Sequence, residues 1–200
     1  ELDERHPDIV HDLQYPDAPR SAAGFIVAAL SRRRDAGIAP FTVLSCDNLS
    51  ANGHTVRRIV TQFAALRSRE LAQWIEDKVA FPSTMVDRIV PDTTDADPAS
   101  VASAPGQTEP CPVVCDPCTQ WISATHVFAG RPSLPLCRPH PSPDVTPFEH
   151  MKLRLLNASH SALAYLGYLA GYGTIAATMT NDRFAALARQ VMDDAAPTLT

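Results

Sequence analysis

Phe41-Thr42-Val43-Leu44-Ser45-Cys46-Asp47-Asn48 is an apolar, β-branched run that passes directly into polar residues. It follows Pro40 and precedes the turn-prone pair Asn52-Gly53, which predicts a short buried strand over 41–45 ending in a polar loop. On its N-terminal side Phe25, Ile26, Ala29 and Leu30 recur at helical spacing and Gly37 supplies a stop, predicting a helix over 21–36. On its C-terminal side the periodicity predicts helices over 56–67 and 70–79, then a strand over 85–90 closed by Pro91. Helix, strand, helix, strand is the pattern of an α/β layer. Open α/β sheets bind ligands at the carboxyl ends of their strands, so chemistry is expected near Cys46-Asp47-Asn48.

Further along, residues 92–147 are irregular and proline-rich, with short strand candidates at 112–115 and 121–129. From Phe148 the pattern turns helical again, over 151–169 and 182–192, with no strand between. The expected organisation is an α/β unit over 1–145 followed by the opening helices of an all-α unit over 146–200. No internal repeat is present.

With 45% hydrophobic and 20% charged residues, the chain has the composition of an ordinary globular protein. Its net charge of −5 gives no general attraction to nucleic acid or to anionic lipid. The first residues, Glu1-Leu2-Asp3-Glu4-Arg5-His6, lack the basic and apolar regions of a secretory leader, and five cysteines are an odd number. Free thiols and a cytoplasmic location are expected. Residues 155–181 contain no Asp, Glu, Lys or Arg, but Asn157, His160, Gly167, Gly171 and Gly173 dilute the apolar signal. A helix buried inside the protein is expected there, not a membrane span.

Glu149-His150-Met151-Lys152-Leu153-Arg154-Leu155-Leu156-Asn157-Ala158-Ser159-His160 carries the densest chemistry. On an α-helical wheel with Lys152 at zero, Glu149 falls at about 60°, His160 at about 80° and Asn157 at about 140°. All four share one side, and the remaining residues are mostly apolar, so that side is expected to face a closed cleft. Desolvation of a lysine there would favour the neutral amine that a general base requires. The residues alone leave two readings open: an alcohol-oxidising site in which Asn side chains hold the reacting oxygen, or polar groups that merely solvate the start of a helix.

The string Lys152-Leu-Arg-Leu-Leu-Asn157-Ala-Ser-His160-Ser-Ala-Leu-Ala-Tyr-Leu-Gly resembles the catalytic helix of the mannitol dehydrogenase family. These are long-chain polyol-specific dehydrogenases that include fructuronate and tagaturonate reductases. Phe41-Thr-Val-Leu-Ser-Cys-Asp-Asn48-Leu resembles the family's second-strand motif, and Val79-Ala-Phe-Pro-Ser-Thr-Met-Val-Asp87-Arg-Ile-Val-Pro91 its signature segment. The resemblance runs from about His6 to the C-terminus. It implies a Rossmann-type dinucleotide-binding domain, in its C-terminal part, followed by the first helices of a mostly helical substrate domain. It also implies roles: Lys152 as general base, Asn48 and Asn157 as the pair holding the reacting oxygen, and His160 and Asp87 as substrate-orienting residues. Glu149 matches a residue that takes protons away from the lysine, and Asn48 also falls beside the cofactor. The implied reaction is hydride transfer between a sugar alcohol and NAD, or NADP, without a metal. D-mannitol to D-fructose is the first expectation and hexuronate reduction the alternative.

A competing reading comes from Cys115-x2-Cys118 and Cys137-x2-His140, the pair spacings of a structural zinc site. It would make the chain a noncatalytic, zinc-stapled interaction module. The intervening prolines and the family's lack of a metal here weigh against it. The resemblance is also incomplete: no strand, Gly-rich turn and helix for a pyrophosphate is found. The family's later substrate-binding arginine and lysine would fall beyond Thr200. An internal fragment, poorly soluble and inactive by itself, is the expectation. Over 122–143 the family's acidic, aromatic character gives way to Ser133-Leu-Pro-Leu-Cys-Arg-Pro-His-Pro-Ser, as compensating frameshifts in the source would produce.

Overall fold

The computed structural model describes residues 2–91, 93–94, 112–115, 120–125 and 140–199. Four helices come first: α1 (Pro7–Gln14), α2 (Ala22–Asp35), α3 (Asn52–Arg67) and α4 (Arg69–Lys78). Strands β1 (Thr84–Asp87), β2 (Gln120–Ala124) and β3 (His140–Ser142) form one sheet in that order. A second helical set follows: α5 (Thr146–Met151), a π-helical segment (Lys152–Asn157), α6 (Ala158–Leu169), α7 (Ile175–Met179) and α8 (Asp182–Ala195).

Helix α1 was not predicted. Pro7 at its first turn and the His6 ring, which accepts the Asp8 N–H, start it, and Ile9 and Asp12 are its buried residues. Asp12 docks α1 onto α2, accepting the N–H of Arg20 at 2.7 Å, the N–H of Ser21 at 2.8 Å and the Ser21 hydroxyl at 2.6 Å. The predicted helix over 21–36 is α2, but its buried residues are Ala23, Gly24, Val27 and Leu30, while Phe25 is exposed. Val27, Leu30, Val60, Phe63, Leu71, Ile75 and Val43 form the main core, and a smaller one gathers Met85, Ile122 and Val145.

Two strand expectations are corrected. Residues 41–45 form no ladder: the Val43 N–H bonds the Ala80 carbonyl at 3.0 Å, and the Ser45 carbonyl is taken by the Thr84 hydroxyl and the Asn52 amide. One backbone bond followed by side-chain partners keeps the segment beside the start of β1 without making it a strand. Residues 112–115 carry no strand either. The predicted strands over 85–90 and 121–129 correspond to β1 and β2, although 126–129 lie outside the described residues. β1 and β2 are antiparallel with Thr84 opposite Ser123 and Asp87 opposite Gln120, and β3 runs parallel to β2.

The helix expected to be buried is largely open. Ser159, Leu163 and Gly167 form the buried stripe of α6, whereas Tyr165, Tyr168 and Leu169 are exposed, Tyr168 by 79%. The reason is packing on one side only, where Gly167 touches Thr178 so closely that a Cβ would lie 2.3 Å from its hydroxyl. No helix among the described residues is long and apolar enough to cross a membrane.

Candidate active site

Asn48 stands in the loop that follows the extended segment, its N–H bonded to the Asp47 carboxylate at 2.8 Å. Asp87 closes β1. Lys152 approaches both from the helical unit, 104 positions from Asn48 in the chain, and its ammonium donates to Asn48 Oδ1 at 2.7 Å. Asp87 Oδ1 lies 4.0 Å from the same nitrogen. The lysine side chain is only 9% exposed and that of Asp87 25%, so this pair is mostly shielded from solvent. Asn48 is exposed, and its Nδ2 has no partner among the described residues. An amine, a carboxylate and a free amide donor thus meet here.

Glu149 is buried one helical turn before Lys152, and its carboxylate accepts the Ala51 N–H at 3.1 Å. It borders two spaces. On one side is a recess of about 10 Å³, room for about one water, shared with Asn48 and Lys152. On the other is a cleft of about 470 Å³, lined among others by His54, Arg57, Pro82 and Asp144.

The helical wheel needs correction at Asn157. Lys152–Asn157 is π-helical, with the Ala158 N–H reaching back five residues to the Leu153 carbonyl. With i→i+5 bonding, the residue five positions on takes the place that i+4 has in an α-helix, about 40° round instead of about 140°. The wide turn therefore carries Asn157 closer round to Lys152 than an α-helical wheel puts it. Ser159, buried, donates its hydroxyl to the Leu155 carbonyl at 2.5 Å as the helix returns to α geometry. Asn157 is half-buried and His160 exposed, and neither lines the recess beside Lys152.

Asn52 and Gly53 escaped the sequence reading, which took them as a turn. They open α3, after Ala51 has made the turn with a left-handed backbone, φ +47°. At Gly53 a Cβ would sit 2.6 Å from the Phe81 carbonyl oxygen and 2.7 Å from that of Pro82, so the helix end can approach this strand-leading segment only without a side chain. The Asn52 amide binds both the loop before Asn48 and Thr84 at the start of β1. Asn-Gly is a common turn pair, and nothing local distinguishes this use of it.

For the zinc reading, Cys118 and Cys137 lie outside the described residues, Cys115 is an exposed free thiol, and His140 is exposed in β3. Cys46, two residues before Asn48, is also a free exposed thiol.

The family model of the mannitol dehydrogenase Rossmann domain matches residues 5–136, and that of the mannitol dehydrogenase C-terminal domain residues 144–200. The chain belongs to the mannitol dehydrogenase family. Its α/β part is of Rossmann type, and its helices from Thr146 open the C-terminal domain. Among relatives in this family, the D-mannonate oxidoreductase of Escherichia coli is 48% identical over 201 residues, covering 100% of this chain and 41% of that protein. The mannitol 2-dehydrogenase of Cereibacter sphaeroides is 44% identical over 95% of this chain and 40% of its own length. A solved structure, the Pseudomonas fluorescens mannitol 2-dehydrogenase in ternary complex with NAD and D-mannitol, is 45% identical and superposes with a TM-score of 0.87 over 100% of this chain and 41% of its own. The chain spans about 41% of these mannitol dehydrogenase relatives.

Proposed function

We propose that the protein carrying this sequence transfers a hydride between a secondary alcohol of a linear polyol and NAD, with Lys152 as general base. The observation that carries the reading is the Lys152–Asn48 contact of 2.7 Å beside Asp87. It places a shielded amine next to an amide whose Nδ2 is left for a substrate or cofactor oxygen. Those groups fit the reacting end of a nicotinamide and a carbinol, and NAD, when bound, supplies the hydride acceptor. Lys152, in its neutral form, takes the hydroxyl proton. Asn48 and Asn157 donate to the oxygen that becomes a carbonyl, while Asp87 and His160 orient the remaining hydroxyls. Glu149, standing between the lysine's recess and the larger cleft, relays the proton outward. We take the boundary between the two domains at 145–146.

D-mannitol, oxidised to D-fructose, is the leading substrate, supported by the ternary complex of the 45% identical mannitol 2-dehydrogenase. A second reading, with a hexuronate and its reduced acid as the pair, is favoured by the 48% identity to the D-mannonate oxidoreductase. NADP is the alternative cofactor. The test uses the gene product that carries this sequence, with NADH formation followed on D-mannitol and on D-mannonate. The larger kcat/KM assigns the substrate. Lys152→Ala lowers kcat by about 10²–10⁴-fold with NAD affinity retained, and unchanged turnover removes Lys152 from the mechanism.

A further inference from the structure

We infer that Asn52 is a positioning residue that sets the spacing between Asn48 and Asp87 into which the Lys152 amine fits, an inference resting on the alcohol-oxidising reading above. Asn52 is 1% exposed. Its Oδ1 accepts the Thr84 N–H at 2.9 Å. Its Nδ2 lies 3.0 Å from the Asp47 carbonyl, 3.0 Å from the Thr84 carbonyl, 3.1 Å from the Thr84 hydroxyl and 3.2 Å from the Ser45 carbonyl. The Thr84 hydroxyl in turn donates to the Ser45 carbonyl at 2.6 Å. Two amide hydrogens are therefore shared over two segments, one leading into Asn48 and the other running three residues on to Asp87.

These contacts stand where a sheet would have ladder bonds. The Ser45 and Asp47 carbonyls have no backbone partner among the described residues, so nothing regular fixes the loop against β1. Holding the Asp47 carbonyl fixes the peptide whose nitrogen is that of Asn48, and holding Thr84 fixes the strand end that carries Asp87. Lys152 joins the pair from another element, at 2.7 Å from Asn48 and 4.0 Å from Asp87. Its geometry is thus only as good as the separation that Asn52 maintains.

The experiment compares Asn52→Ala, Thr84→Val and Thr84→Ser in the same gene product, with turnover expressed per folded active site. Misplacement of reacting groups by about 1 Å costs on the order of a hundredfold, so Asn52→Ala and Thr84→Val are expected to lower kcat by about ten- to a hundredfold with NAD affinity changed less than about twofold. Substrate KM is expected to change less than about threefold, so the loss falls on kcat rather than on binding. The charged groups around the Lys152 amine, Asp47, Asp87 and Glu149, are the same in every variant. Thr84→Ser keeps the hydroxyl and restores kcat. If Asn52→Ala does not fold, Thr84→Val decides, since it removes the hydroxyl with little change of shape. A wild-type kcat in Thr84→Val overturns the inference, whatever its melting temperature. If Lys152→Ala also turns over normally, it is the reading of the site that has failed.

Discussion

The carboxylate of Glu149 holds the N–H of Ala51 at 3.1 Å, joining the helical unit to the N-terminus of α3 across 98 positions of the chain. Ala51 has a left-handed backbone, and its N–H stands at the head of a 16-residue helix. A carboxylate at that end meets both an unfilled donor and the positive end of the helix dipole.

Replacing Glu149 by Ala leaves the Ala51 N–H without its acceptor, and the expected cost is about 1–3 kcal/mol of unfolding free energy. Glu149→Gln keeps an acceptor and loses only the charge, so its cost stays below about 1 kcal/mol. Denaturant unfolding of the two variants checks this; equal losses would mean that charge, not the hydrogen bond, carries the contact.

Gly53→Ala drives a methyl group into the Phe81 and Pro82 backbone. Overpacking of this kind costs about 1–3 kcal/mol and displaces the start of α3. Thermal unfolding should show the loss, together with weaker turnover. A melting temperature at or above wild type would show that the two segments can separate freely.

Asp12 gives stability a dependence on acid. Burial alone would raise its pKa, but the Ser21 hydroxyl, the His11 ring and the N–H groups of Ser21 and Arg20 together outweigh it and hold the carboxyl at about 2, below its ordinary 3.8. A depressed native value means that this stabilisation is complete above about pH 3.8 and fades as pH falls toward 2. Asp12→Ala is expected to lose about 2 kcal/mol near neutrality, because the N–H groups of Arg20 and Ser21 and the Ser21 hydroxyl lose their shared acceptor, and to flatten the acid limb of the stability profile. An acid limb identical to wild type would assign it to other carboxylates.

Ser159→Ala removes the hydroxyl bonded to the Leu155 carbonyl at the end of the π-helical segment. Loss of that bond is expected to destabilise the segment by roughly 1 kcal/mol and to speed amide hydrogen exchange over 153–158 about fivefold. Mass-resolved exchange measures it; unchanged protection would show that the wide turn is held by neighbouring helices alone.

Much of the site was legible in the sequence through a family resemblance rather than through residue types. Lys152, Asn48 and Asp87 came from the resemblance of three separated segments, and the structure brings these three together. Glu149 also reaches them, but through Ala51, a backbone partner that no pattern announces. Asn157 was placed too far round its helix because a uniform α wheel has no means of anticipating a π turn. Asn52 was read as a turn residue because Asn-Gly has the same local preferences whether it closes a hairpin or opens a helix against another backbone.

What the sequence determined by itself is the order of helical and extended segments, the mixed α/β then helical character, and the residue types available for base and amide chemistry. These follow from periodicity, proline and glycine placement, and side-chain chemistry, all local to the chain. What only the tertiary structure decided is which distant groups meet. The run at 41–45 became an extended flank because the Ser45 carbonyl found the Asn52 amide and the Thr84 hydroxyl in place of a second strand. Lys152 reached Asn48 because α5 packs its buried Glu149 onto the head of α3. Such contacts depend on the simultaneous satisfaction of buried donors and acceptors from many segments, a condition that no single stretch of sequence contains.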